Sequence, residues 1–164
     1  MKEAMQEVEA TMSSSIVKKI REQGHTLTGK LERSVTAHTS QFNIAGYMLD
    51  YGGIVDSGVN PSRIPFRLGS GAKTSKYITA LTNFFILRGL NEKEAKSAAF
   101  ATARKQKKEG MPTKASSRFS LSGKRKNFVA ESWNENEKKV DKIMSKGMDS
   151  FFQDQFKNDK SEKI

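Results

Sequence analysis

The chain has no cysteine, two histidines, three prolines and one tryptophan among its 164 residues. The lack of cysteine excludes disulfides, thiolate nucleophiles and cysteine-ligated metal sites. His25 and His38 have no partners at the spacing that a metal site or a general base needs. No serine lies in a nucleophile elbow, and the Gly-Ser-Gly at 69–71 lacks the ending of a phosphate loop. The sequence therefore predicts no enzyme, no cofactor and no metal site.

Carboxylate pairs are also scarce. Asp50 and Asp56 lie six residues apart across the glycine pair at 52–53. A nuclease metal pair would need a third carboxylate and a catalytic lysine in register with them. We interpret both as aspartates of a surface turn, a common place for this residue.

Long apolar runs are missing as well. The best run, Leu81 to Leu87, is too short to span a bilayer, and residues 1–10 lack the apolar core of a signal peptide. We therefore expect a soluble protein that is intracellular when made and does not use a membrane. The hydrophobic fraction of 35% is low, which predicts solvated segments. At this length we expect one domain over 1–158 and a flexible tail at 159–164.

Positive charge is the strongest global feature, with a formal net charge of +11 at pH 7. Such a surface attracts polyanions, which include nucleic acid, acidic protein faces and anionic lipid. The simpler alternative is a charged surface that only keeps the protein in solution.

Amphipathic helices are predicted at both ends of the chain. From Met1 to Gln23, apolar residues recur at spacings of three and four, and Gly24 ends the pattern. A final helix, about Val129 to Lys157, has the stripe Trp133, Val140, Ile143, Met144, Met148, Phe151, Phe152 and Phe156. We expect it to dock through Trp133, Met144, Phe151 and Phe152.

A β-hairpin is predicted after the first helix. Residues 26–34 fit a tight turn and the start of a strand. In residues 34–39, Val35, Ala37 and Thr39 alternate with Ser34, Thr36 and His38, which is the period-two pattern of a half-buried strand. A second strand over 42–49 would complete an antiparallel pair. Residues 51–55 fit either a third short strand or a turn of helix.

Two helices are predicted in the second half, over 74–88 and 91–109. Thr74 or Ser75 is the N-cap of the first. Asn91 caps the second, and Glu94 three residues later completes a capping box. Gly110 suits a left-handed C-terminal cap, and Pro112 prevents the helix from resuming.

An extended arm is predicted over 60–75, where glycine and proline are dense. Its side chains Ile64, Phe66, Arg67 and Leu68 are candidate subunit contacts. We expect the arm to be unable to bury its apolar side chains locally, so that Phe66 anchors it in a neighbouring subunit.

A basic loop is predicted over 104–126, where nine cations are opposed only by Glu109. The candidate contact residues are Arg104, Lys105, Lys107, Lys108, Lys124, Arg125 and Lys126. The loop is either a solvated arm or a cationic segment that lies along an acidic neighbour or near DNA and becomes ordered when bound.

Three motifs occur in a distinctive order. The first is T-G-x-L-x-x-S at Thr28 to Ser34. The second is Y-x-x-x-Y-G-x-x-V-D-x-G from Tyr47 to Gly58, followed by the Ile-Pro-Phe at 64–66. The third follows a helix ending in Arg-Gly and is A-x-x-x-A-R-K-x-K-K-E-G-M-P at Ala99 to Pro112. This order resembles the tail-completion and head–tail joining (neck) proteins of tailed bacteriophages, over roughly residues 28–113.

The resemblance implies an α+β protomer with a small curved antiparallel sheet packed by helices, a long extended loop and long terminal helices. It also implies a homo-oligomeric ring on the portal–tail axis of the virion, assembled in the host bacterial cytoplasm. Its partners would be other copies of itself, the portal or connector and the tail proteins, with packaged DNA nearby. The alternative hypothesis is a basic nucleic-acid-binding accessory protein that contacts phosphates through residues 104–126.

Overall fold

The computed structural model describes residues 1–40, 42–67, 69 and 75–161, with side chains described up to residue 158. These residues form two compact units. Unit 1 comprises residues 1–52 and 127–164, and unit 2 comprises residues 53–126. The assignment of 1–158 to a single domain stays a prediction.

The described residues form six α-helices and two strands. In chain order they are α1 (Lys2–Glu22), α2 (Lys30–Arg33), β1 (Thr36–Thr39), β2 (Ile44–Tyr47), α3 (Tyr51–Ser57), α4 (Lys76–Leu87), α5 (Glu92–Glu109) and α6 (Phe128–Ser161). Short 3-10 helices occupy Pro61–Arg63 and Lys114–Phe119. The predicted α+β class with long terminal helices is confirmed.

Unit 1 is built on the contact between α1 and α6. Val8 of α1 packs on Val140 and Ile143 of α6, and all three are buried. A side chain at Gly147 would collide with Ala4, so the two helix backbones approach closely at this point. Because the start of α1 meets Gly147, the helices run antiparallel and the last turns of α6 extend beyond the first residue of α1.

The sheet of unit 1 has two antiparallel strands, with Thr36 opposite Tyr47 and Thr39 opposite Ile44. The predicted hairpin is therefore confirmed, although β2 is shorter than the stretch 42–49. The hydroxyl of Thr39 donates a hydrogen bond to the carboxylate of Glu9, which ties β1 to α1.

The prediction of a strand start at 26–34 is wrong, because the segment forms the short helix α2. Gly29 has a φ of 64°, a left-handed conformation that glycine adopts without penalty, and Leu31 of the next turn is buried. The Oγ of Ser34 donates to the carbonyl of Leu31 at 2.7 Å and accepts from the N–H of Leu49 at 3.1 Å. Of the two alternatives for 51–55, the structure has the helical one, α3.

The predicted docking stripe of α6 is partly wrong. Trp133 is exposed, while Ser132 is fully buried and Asn136 is half-buried. Polar side chains can be buried here because their hydrogen-bonding groups have partners. Ser132 donates to the carbonyl of Phe128, and Asn136 donates to the hydroxyl of Ser15 on α1 and to the carbonyl of Ser132. Phe152 is 48% exposed, because it lies on the part of α6 that extends past α1.

Unit 2 is built on the pairing of α4 with α5. The contact face of α5 consists of Ala95, Ala99 and Ala103, all fully buried. Their small side chains let other apolar groups reach the helix, including the buried Ile78 of α4. Leu81 and Phe85 of α4 pack against the same cluster, whereas Phe84 is exposed.

The predicted N-caps of this helix pair are confirmed, whereas the predicted C-terminal cap is not. The Oγ of Ser75 accepts from the N–H of Ile78 at 3.2 Å, and Thr74 lies outside the described residues. Asn91 and Glu94 form the reciprocal capping box. Gly110 has a φ of 85° but a ψ of −170°, so it is not the left-handed helical cap that we predicted.

The expectation that the arm cannot bury its apolar side chains locally is wrong. Ile64 and Phe66 are 3% and 9% exposed, and they pack with Ile78, Ala99 and Ala103 in the core of unit 2. The ring of Phe66 also meets the ring of Phe100 edge to face at 6.5 Å. The alanine face of α5 leaves room for them, so Phe66 is a core residue and not an anchor for another subunit.

The basic segment 104–126 is only partly a loop. Arg104 to Glu109 form the last turns of α5, and Lys114–Phe119 form a 3-10 helix. Lys124, Arg125 and Lys126 lie after the 3-10 helix, in the irregular stretch before α6.

Candidate functional site

Charge is divided unevenly between the two units. Unit 2 contains 16 Lys and Arg and 4 Asp and Glu, a net charge of +12. Unit 1 contains 13 Lys and Arg and 14 Asp and Glu, a net charge of −1. The excess positive charge of the protein therefore resides entirely in unit 2.

In unit 1, several cations are paired with carboxylates. Lys19 is a buried lysine that donates to Glu22 and Glu135, and Arg21 donates to Glu32 at 2.9 Å. The hydrogen bond to Glu135 raises the pKa of Lys19 above its ordinary value of 10.5, against the opposing effect of burial. Lys19 and Arg21 thus have a structural role.

In unit 2, the outer face of α5 is cationic. Lys93, Arg104, Lys105 and Lys108 are exposed, and none of them forms an ion pair with any residue that the structure describes. Lys107 differs, since its Nζ donates to the carbonyl of Ile64 at 3.0 Å. Lys107 therefore fixes the arm to α5, while its neighbours are available to a partner.

An arginine–phenylalanine cluster lies at the end of α4. The guanidinium of Arg88 is 4.9 Å from the ring centre of Phe84 and 5.3 Å from that of Phe119. The guanidinium of Arg118 is 4.7 Å from the same Phe119 ring. We call these four residues the Arg–Phe cluster; its rings hold two cations near each other by cation–π attraction.

Arg125 adds a third guanidinium to this region. It is half-buried, and its Nη1 donates to the carbonyl of Ser116 at 3.4 Å. Burial, and then the charge of Arg88, lower the pKa of Arg125, although an arginine remains protonated in proteins. Like charges therefore accumulate here, an arrangement that an anion would stabilise.

The remaining predicted contact residues are distributed as follows. Arg67, Lys124 and Lys126 are exposed, and Leu68 lies outside the described residues. Sequence reasoning did not identify Arg88 and Phe84 as site residues. Phe84 and Arg88 have the i, i+4 spacing of neighbours on one helix face, which is a local signal. Nothing local points to Phe119, because it lies 31 residues beyond Arg88 in the chain.

The ends of the second and third motifs meet in unit 2. Val59 and Met111 exchange two backbone hydrogen bonds of 2.8 Å, N–H to carbonyl in both directions. A Cβ at Gly110 would lie 2.5 Å from the carbonyl oxygen of Val59, and one at Gly58 would collide with the carbonyl oxygen of Met111. Both glycines have positive φ, so this pairing requires them for conformation and for space.

Unit 1 carries an exposed aromatic patch, consisting of Phe42, Phe151, Phe152 and Phe156. The ring centres of Phe42 and Phe151 are 5.9 Å apart, and those of Phe151 and Phe152 are 5.8 Å apart. Phe42, Phe152 and Phe156 are all exposed. The patch joins the hairpin turn to the last turns of α6.

Neither the described residues nor the comparisons with known proteins point to a known kind of site or family. Among the described residues, no group of three or more His, Asp or Glu side chains could hold a metal ion. No described helix is both long and apolar enough to cross a membrane. No protein-family model, curated protein or solved structure matches the chain. Any functional assignment therefore depends on the residues and geometry of this chain.

Proposed function

We propose that this chain is a structural virion protein of a tailed bacteriophage. It forms a homo-oligomeric ring at the head–tail neck or tail-completion position and joins the portal or connector to the tail, without catalytic activity. The observation that carries the proposal is the ordered series of motifs over residues 28–113. The backbone pairing of Val59 with Met111 supports it, because this pairing brings the ends of the second and third motifs into direct contact.

The aromatic patch of unit 1 is the surface through which copies of the chain associate. Exposed phenylalanines that contact one another are costly to leave in water, and burying each against a second copy gains roughly 1.5–3 kcal/mol. We assign the subunit contact to this patch and not to the arm, because Ile64 and Phe66 are buried in the core of unit 2 and cannot contact another copy.

Native mass spectrometry tests the proposal. The wild-type protein should give one closed oligomer, and the double variant Phe42→Ala, Phe152→Ala should remain a folded monomer by circular dichroism. Trp133→Ala is the matched control, because Trp133 is an exposed aromatic residue of α6 outside the patch. A wild-type protein that stays monomeric at all concentrations would refute the ring.

A second candidate function is nucleic-acid binding, with phosphates contacted through residues 104–126. The net charge of +12 on unit 2 favours it, since a chain charged only for solubility has no reason to concentrate its excess in one unit. Fluorescence anisotropy with a labelled DNA duplex tests it. Affinity should fall steeply between 50 and 200 mM salt, roughly a thousandfold or more for six phosphate contacts. Salt-independent binding, or none at the lower salt, would exclude this function.

A further inference from the structure

We infer that the Arg–Phe cluster is a binding site for the phosphate backbone of DNA. The site consists of Arg88 and Arg118, held by the rings of Phe84 and Phe119. This inference rests on the second candidate function and places its main contact outside the α5 cations that the sequence suggested.

The geometry of the cluster leaves the arginines ready to bind. A guanidinium has five N–H donors, and stacking on an aromatic ring fixes its plane without using any of them. Each planar donor pair matches two oxygens of a phosphate. Because the rings restrict the side chains beforehand, little rotamer freedom is lost on binding.

Among the described residues, no carboxylate balances the charges of the Arg–Phe cluster. Neither Arg88 nor Arg118 forms an ion pair with a residue in the described part of the chain. Arg125 lies close enough for the charge of Arg88 to affect it. The guanidiniums of Arg88 and Arg118 share the Phe119 ring, so they repel one another in the free protein, and an anion relieves that repulsion.

A repeating polyanion fits unit 2 better than a single ion. The exposed cations of α5 extend from Lys93 to Lys108, which at 1.5 Å per residue is a distance of about 22 Å. A nucleic-acid backbone presents phosphates over such a length and can engage many cations together. The rings of Phe84 and Phe119 carry guanidiniums, so we expect contact with the backbone and not base stacking, and hence no sequence preference.

The test uses the full chain and a labelled 30-base-pair duplex in fluorescence anisotropy. The double variant Arg88→Gln, Arg118→Gln should lower the salt slope of log K by about 1.8, which is ~0.9 for each lost contact, and should weaken binding at least about tenfold. Lys138→Gln, Lys142→Gln is the matched control, because it removes the same charge from exposed positions on α6 of unit 1. The control should bind as the wild type does.

Phe119→Ala tests the role of the ring without changing the charge. It should weaken DNA binding several-fold, because Arg88 and Arg118 lose their common support. Leu121→Ala is its control, since Leu121 is 90% exposed and has no aromatic ring to support a guanidinium. Circular dichroism of both variants verifies that the fold is intact.

The outcomes separate the site from the wider function. If the wild type binds DNA and the arginine variant matches its lysine control, the Arg–Phe cluster is not the site, while nucleic-acid binding stands. If the wild type does not bind at 50 mM salt, both ideas fail. If poly-glutamate displaces DNA at equal charge concentration and binds with the same arginine dependence, the partner is an acidic protein and the assignment to DNA is overturned.

Discussion

Replacing Phe66 by alanine tests whether the arm belongs to the core. Phe66 is 9% exposed and packs with Ile64, Ile78, Ala99 and Ala103. Transfer of a phenylalanine side chain out of water contributes roughly 1.5–3 kcal/mol, and the cavity left behind raises the cost of its loss to about 3–5 kcal/mol. The slight exposure of Phe66 leads us to expect the lower half of that range.

The assay is urea unfolding followed by far-UV circular dichroism. For an m-value of about 1–3 kcal/mol/M, a loss of about 3 kcal/mol lowers the midpoint by between about 1 and 3 M. Circular dichroism is the appropriate probe, because the single tryptophan, Trp133, lies in unit 1.

Arg67→Ala is the control for this experiment. Arg67 is the next residue and is exposed, so its replacement should change stability by no more than about 0.5 kcal/mol. If Phe66→Ala unfolds as the wild type does but no longer assembles, the packing argument is refuted and the arm is a subunit contact after all.

Three further predictions concern the helix ends and the paired lysine. Gly110→Ala should destabilise unit 2 by about 1–3 kcal/mol in urea unfolding, because its φ is 85° and the new Cβ would lie 2.5 Å from the carbonyl of Val59. Asn91→Ala should cost about 1 kcal/mol in the same assay through loss of the N-cap. The raised pKa of Lys19 contributes stability that is complete below its ordinary value of 10.5 and is lost as pH rises through the folded-state pKa. Thermal melts should therefore show a steeper alkaline loss in wild type than in Lys19→Met.

Each of these has a matched control. Gly123 also has positive φ, at 72°, but has open space around its Cβ position, so Gly123→Ala measures strain without collision. Equal losses at the two glycines would contradict the proposed clash. Asn134→Ala, at an exposed site on α6, should be nearly neutral, and Lys18→Met should leave the alkaline slope as in wild type. A Lys19→Met variant with the wild-type slope would show that its ion pairs do not affect stability.

Local patterns predicted the elements of this fold well. The stripe of α1, the hairpin and the capping box of Asn91 and Glu94 are all set by residues within a few positions of one another. Such features depend on backbone geometry and short-range hydrogen bonds, so the type and spacing of neighbouring residues are enough to predict them.

Contacts between distant segments were not predictable in this way. The glycines and prolines around Phe66 indicated an extended backbone, but nothing nearby indicated that the alanine face of α5 would receive its ring. The same holds for Arg88 and Phe119, which belong to different segments. The apolar periodicity of α6 continues to Phe156. It could not reveal that the first residues of α1 contact α6 at Gly147, so that α1 does not pack against the turns of α6 beyond this point.

The division of the chain also affects its synthesis. Unit 2 is one continuous segment, whereas unit 1 needs α1, which precedes that segment, and α6, which follows it. A ribosome adding about 5–20 residues per second requires ~2–8 s for the 38 residues 127–164. Throughout that interval the apolar face of α1 around Val8 has no α6 to cover it, while the segments of unit 2 are already complete. The nascent chain therefore exposes the apolar face of α1 on the ribosome for seconds, a surface that trigger-type chaperones would bind.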